Sequence, residues 1–257
     1  MKLQISKVFS LGMLANQISA NRETMLATLT AGLEEIASGD NAGFRGVVLP
    51  ENVNEKEMPF FLDAYLAAID GYGCWCNLEE EYHKGKGSPV NAVDGHCKAL
   101  SLGYECIIMD GIADGNLCPE PWKVGLYVPH NVALTPLGQS VAQQCTANNS
   151  GDDCATRSCI VEGNFVEVIF ADFLNSVTYD PNYKHGGGFF DPDVDCNIAG
   201  GGGPQSERKC CGDYPYRYPY KTYNDQRQCC GQKTYNSDNH CCDDENTSTL
   251  ALAGQCS

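Results

Sequence analysis

Residues 94–106 read DGHCKALSLGYEC. Val93, Cys97, Leu100, Tyr104 and Ile107 recur every three or four positions through this stretch, the spacing of one buried helical face. Asp94 can cap its start. Cys97 and Cys106 lie nine residues apart, which at about 100° per residue places them on opposite faces of a regular helix. They cannot pair with each other there. Each must reach a different partner, so the helix is expected to be stapled on two sides.

Working outward, residues 22–38 place Leu26, Leu29, Leu33 and Ile36 at helical spacing before Gly39. A second helix is expected from Pro59 to Gly71, followed by YGCWC at 72–76 and a polar loop rich in Glu, Lys and Gly. A further helix is expected over CIVEGNFVEVIFADFLN, entering from Cys154 and Cys159, with Phe165, Val168, Ile169 and Phe173 inward. After Ser176 the composition turns to Gly, Pro and Asp, which reads as loop or linker. The tail beyond has no helical period. It carries the vicinal pairs Cys210-Cys211, Cys229-Cys230 and Cys241-Cys242 and a repeat, KTYNDQRQCC at 221–230 and KTYNSDNHCC at 233–242. A twelve-residue period is too short for an independent fold, so each copy is expected to be a turn or hairpin on its own cysteine pair.

The 257-residue chain has 16 cysteines: Cys74, Cys76, Cys97, Cys106, Cys118, Cys145, Cys154, Cys159, Cys196, Cys210, Cys211, Cys229, Cys230, Cys241, Cys242 and Cys256. An even, high count implies a disulfide framework, and disulfides persist in oxidising compartments. Residues 1–20 have Lys2 and Lys7, an apolar stretch from Val8 to Ala15 and small Ala20 at the end, which reads as a signal peptide. No later segment approaches the roughly 18 apolar residues of a membrane span. The formal charge of −16 becomes −18 once Lys2 and Lys7 are removed. Such a field disfavours nucleic acid and anionic membrane, and favours cations or basic partners. Asn148-Asn149-Ser150 and Asn246-Thr247-Ser248 are glycosylation sequons.

The ordered set of YGCWC, Pro89-Val90 and an Asp-led helix bearing Cys97 resembles the secreted phospholipase A2 superfamily, over roughly residues 60–175. The resemblance implies a calcium loop opening at Tyr-Gly-Cys-x-Cys and a long helix presenting a catalytic His-Asp pair. It also implies a second cysteine-bearing helix packed antiparallel, for which the Cys154/Cys159 helix is the counterpart. In that chemistry histidine is the general base, and aspartate holds the calcium that stabilises the oxyanion. With Cys97 aligned to the second family cysteine, the two positions hold Leu100 and Ser101; with Cys106 aligned to the later one, they hold Gly103 and Tyr104. Neither pair can abstract a proton at neutral pH or chelate calcium, so no catalytic residue is assigned. His96 lies on nearly the face of Leu100, but no carboxylate is adjacent in sequence, and His83 has no visible partner. The resemblance leaves Trp75, Asn77 and Glu79 as calcium-loop candidates, against the simpler reading of a solvated acidic loop. The DPDVD stretch at 191–195 lacks the spacing and Gly of an EF-hand.

Adjacent cysteines are awkward ligands for one tetrahedral zinc, so disulfides are preferred for the tail. Its paired cysteines with Gly212, Gly231, Tyr223-Asn224 and Tyr235-Asn236 resemble galaxin-like repeats of extracellular matrix proteins. Tyr214, Tyr216, Tyr218, Tyr220, Tyr223 and Tyr235 cluster with Arg217 and Lys221, a composition suited either to an interface or to packing over disulfides.

The expectation is a mainly α fold: signal peptide at 1–20, a disulfide-stapled phospholipase A2-like helical module at 21–178, a Gly/Pro-rich linker at 179–204, and a small irregular or β cysteine-pair module at 205–257. The expected function is a secreted structural or binding protein of an extracellular assembly (matrix, coat or mineral-associated). It needs no cofactor, and calcium is the one ligand considered. Partners would be extracellular proteins, matrix or further copies of the chain, not nucleic acid. The rival readings are a calcium-dependent phospholipase with a displaced site and a soluble receptor- or ligand-binding protein.

Overall fold

The computed structural model describes residues 67–78, 84–119, 141–174, 179–196 and 206–256. The expected signal peptide, the helix at 22–38 and all but the end of the helix from Pro59 lie outside them. Among the described residues no helix is long and apolar enough to cross a membrane.

Helix α1 runs Ala92–Asp114. Its N-cap is Asn91, whose side chain accepts from the Asp94 backbone N–H, while Asp94 itself sits inside the first turn and is fully buried. Gly115 ends the helix in the left-handed conformation, φ 73°, its N–H turned back to the carbonyls of the last turn. Val93, Cys97, Leu100, Tyr104 and Ile107 are all buried, the stripe expected from their spacing. Helix α2, Val141–Asn148, is short and joined to helix α3, Asp153–Leu174, by Cys145–Cys159. Asp152 opens α3 by accepting from the Ala155 N–H at 2.9 Å.

Helices α1 and α3 are antiparallel. Asp114 meets Arg157 at one end, Tyr104 meets Glu162 in the middle, and His96 meets Asp172 at the other. The approach is close: a Cβ on Gly103 would lie 2.9 Å from Val161 Cγ1. Val161, Phe165 and Ile169 supply the α3 side of the core, whereas Val168 is only half-buried. Burying side chains of this size contributes about 1.5–3 kcal/mol each before entropy is subtracted.

The turn at 70–78 is fastened by Cys76–Cys97 to α1 and by Cys74–Cys196 to the segment leading out of the helical part. Residues 179–196, the first part of the expected linker, lie against this turn. Tyr72 is fully buried and accepts from Asn91 Nδ2 at 2.6 Å and from the Asp180 N–H at 3.2 Å. Phe190 packs edge-on to Tyr183 beside Cys74 and Cys196.

The C-terminal part corrects the mainly α expectation. It holds six strands in three antiparallel hairpins: β1 Arg208–Cys211 with β2 Tyr218–Lys221, β3 Arg227–Cys230 with β4 Lys233–Asn236, and β5 His240–Asp244 with β6 Thr249–Leu252. The chain therefore joins a helical part to a regular β part. Strands of four or five residues are too short to print an alternating pattern, and the positions they bury include Cys211, Tyr220 and Cys230. The sequence repeat does not coincide with a hairpin. Its first copy starts at Lys221 in β2 and ends at Cys230 in β3, and its second runs from Lys233 in β4 to Cys242 in β5. Each copy spans the connection between neighbouring hairpins.

Candidate functional site

Two places gather the side chains singled out in the sequence: the start of α1 with the turn it braces, and the contact between α1 and the first hairpin, where Tyr214 and Arg217 lie.

At the first, Asp94 accepts three backbone N–H groups, from Cys74 at 2.9 Å, Trp75 at 2.7 Å and Val90 at 2.9 Å. Burial pushes its carboxyl upward, opposed by the N–H groups of Cys74, Val90 and Trp75. Gly73 takes φ 59°, and a Cβ there would sit 2.5 Å from Asp94 Cγ, so the turn requires glycine. This carboxylate organises the loop from inside.

The calcium-loop candidates divide. Glu79 lies outside the described residues, as does His83. The Trp75 carbonyl accepts the Asn77 N–H at 2.9 Å, and the Cys74 carbonyl accepts the Lys86 N–H at 3.3 Å. The Gly87 carbonyl accepts Trp75 Nε1 at 3.2 Å and Lys98 Nζ at 3.3 Å. The Lys98 ammonium stands 5.0 Å over the Trp75 ring. The Cys74, Trp75 and Gly87 carbonyls are thus engaged by N–H or ammonium donors, and the Lys98 charge lies beside them.

Along α1, Leu100 is 3 % exposed and Ser101 6 %, so both side chains are closed off from solvent. Tyr104, the alternative position, donates its hydroxyl to Glu162 Oε1 at 2.7 Å, and both residues are buried. A buried hydrogen bond to a carboxylate contributes roughly 1.5–3 kcal/mol. These positions serve packing and one polar anchor.

His96 has a partner that sequence reasoning missed. Asp172 Oδ2 of α3 lies 3.1 Å from His96 Nε2, with both side chains part-buried. The contact is a close approach rather than an aligned hydrogen bond, since Asp172 Oδ2 accepts none. The carboxylate comes from the antiparallel helix and not from a sequence neighbour. Only the register supplies it: an antiparallel pair that sets 114 against 157 and 104 against 162 brings 96 opposite the end of α3.

At the second place, Asp110 receives Arg217 through two bonds, Nε to Oδ2 at 2.6 Å and Nη2 to Oδ1 at 3.0 Å, and the Tyr214 hydroxyl donates to Oδ2 at 2.8 Å. Arg208 pairs with Glu105, and Arg217 also donates to the Gly212 carbonyl. Burial pushes the Tyr214 phenol far above its usual range, and the Asp110 carboxylate adds to it. Burial lowers Arg217, but Asp110 more than reverses that and the guanidinium ends raised. Of the tail tyrosines, Tyr214 and Tyr220 thus serve packing, while Tyr216 and Tyr223 are 54 % and 43 % exposed.

All sixteen cysteines pair, and none is free. Cys118–Cys154 ties the chain after α1 to α3. From α1 onward the bridges form a series: Cys106–Cys210, Cys211–Cys229, Cys230–Cys242 and Cys241–Cys256. Within each vicinal pair one cysteine reaches back to the preceding element and the other reaches forward.

Comparison with known proteins adds no relative: no family, no curated protein and no solved structure matches the chain.

Proposed function

We propose that the chain is a secreted structural or binding protein of an extracellular assembly, in which a helical part resembling phospholipase A2, without its catalytic pair, carries a rigid array of hairpins. The observation that supports this best is the series of disulfides that strings three hairpins onto α1. Eight disulfides suit an oxidising compartment. A short hairpin alone is marginal in water, and cross-linking it to its neighbours keeps its exposed side chains in a fixed arrangement. Exposed Tyr216 and Tyr223 on such a support are the kind of residue that interfaces use. Extracellular proteins, matrix or further copies of this chain are the partners this reading favours.

Sedimentation of the oxidised full chain over a concentration series, with retention on immobilised extracellular matrix, tests it. Self-association or retention that is lost when the array is released by Cys106→Ser with Cys210→Ser supports the reading. A monomer with no retention overturns it.

One observation favours a second reading. The His96–Asp172 contact sets a carboxylate beside an imidazole across α1 and α3, the two groups a displaced hydrolytic site would need. Against it stand the buried Leu100 and the charge of Lys98, which α1 holds over the Trp75 ring of the neighbouring loop. Ester hydrolysis on mixed micelles with calcium, abolished by His96→Ala, would establish that reading; the expected result is no hydrolysis.

A further inference from the structure

We propose that Asn246 carries an N-linked oligosaccharide, and that it is attached before the last hairpin folds. This rests on the chain being secreted, and it goes further by naming a modified atom and an order of events.

Asn246 sits at the tip of the β5–β6 hairpin, with Glu245, Asn246 and Thr247 all exposed. The contacts around it are local. Its backbone N–H donates to Asp244 Oδ1 at 2.9 Å, and the Thr247 hydroxyl donates to Asp244 Oδ2 at 2.9 Å. A large hydrophilic group on an exposed turn can point into solvent without moving a strand. The other sequon differs. Asn148 is half-buried at the end of α2, next to buried Asn149, whose side chain donates to the Cys145 carbonyl at 3.0 Å.

The third residue of the Asn246 sequon sets the order. Its hydroxyl is the group that makes Asn-x-Ser an acceptor. In the folded hairpin Ser248 is 7 % exposed, and its Oγ accepts the Gln232 N–H at 2.8 Å, linking the third hairpin to the second. The Ser248 N–H is turned onto the Glu245 carbonyl at 3.3 Å, with φ 53°. A transferase cannot read a hydroxyl held in that way. Transfer therefore precedes closure of the turn and of the Cys230–Cys242 bridge beneath it. In the reaction Asn246 Nδ2 bonds to the anomeric carbon of an oligosaccharide carried on a polyprenyl diphosphate. The carbon–oxygen bond to the diphosphate breaks, the diphosphate leaves with the electron pair, and the amide gives up one proton.

The test expresses the full chain in eukaryotic secretory cells with Asn148→Gln, which removes the other acceptor, behind either its own N-terminus or a heterologous leader. A single mobility step removed by peptide-N-glycosidase, with the label from heavy-oxygen water at position 246, is expected; Asn246→Gln and Ser248→Ala each abolish it. An unmodified chain delivered by the heterologous leader overturns the site. Failure only with the chain's own N-terminus overturns the secretion reading instead. For the order of events, reduced and oxidised Asn148→Gln protein are each incubated with oligosaccharyltransferase and lipid-linked oligosaccharide. Modification of the reduced chain alone is expected, and equal modification of both overturns the order.

Discussion

Helices α1 and α3 bury Val93, Leu100, Tyr104, Ile107, Val161, Phe165 and Ile169, whereas the buried apolar residues of the three hairpins are Cys211, Cys230 and Tyr220. The first region is organised by an apolar stripe and then stapled. The second has too little apolar surface for a core and is organised by its staples. The same residue type does different work in the two: Cys76–Cys97 fastens a turn to an existing core, while Cys211–Cys229 and Cys230–Cys242 supply the order themselves.

That contrast can be broken most strongly at Cys230 and Cys242. Replacing both by alanine should cost about 2–5 kcal/mol in the C-terminal region. Amide exchange should rise through residues 233–252 while α1 and α3 keep their protection. A uniform loss of protection across the chain would show that the two regions are not distinct.

Leu100→Ala should act in the opposite place, costing about 2–5 kcal/mol through a cavity between α1 and α3. Its effect, read by chemical denaturation, should leave hairpin exchange largely unchanged until global unfolding. A cost below about 1 kcal/mol would mean that Leu100 faces a space able to collapse or fill.

Tyr104→Phe removes the donor to Glu162 and leaves a buried carboxylate without that bond, at about 1–3 kcal/mol. Tyr104→Phe with Glu162→Gln should recover part of that loss, because the remaining group is neutral.

The smallest effect sharpens the junction between the regions. The Tyr214 phenol is raised in the folded state, so its contribution is complete below the unfolded value of about 10 and is lost as pH rises through the folded value. Alkaline titration by ultraviolet absorbance, compared with Tyr214→Phe, should show that Tyr214 ionises only as the hairpin undocks. Asp110→Asn should bring its titration back toward the ordinary range, since the carboxylate is one cause of the shift.

Sequence reading recovered the parts that depend on period and composition. The stripe from Val93 to Ile107 implied α1, and the opposite placement of Cys97 and Cys106 implied two different partners, whose identities, Cys76 and Cys210, only the structure supplies. It missed what depends on where separate segments meet. The cap is Asn91 because Asp94 is drawn inward by three N–H groups of a loop that no local pattern shows. Asp172 was invisible as the partner of His96 until the antiparallel register was known. Hairpins were expected in the tail, but their bounds and their regularity were not legible, because strands of four or five residues built on cysteine leave no hydrophobic alternation.

Disulfide mapping of the unreduced protein by peptide mass spectrometry tests the central claim most directly. The account predicts Cys106 with Cys210, Cys211 with Cys229, Cys230 with Cys242 and Cys241 with Cys256. Vicinal bridges within Cys210-Cys211, Cys229-Cys230 or Cys241-Cys242, or a tail with no bridge to Cys106, would contradict it.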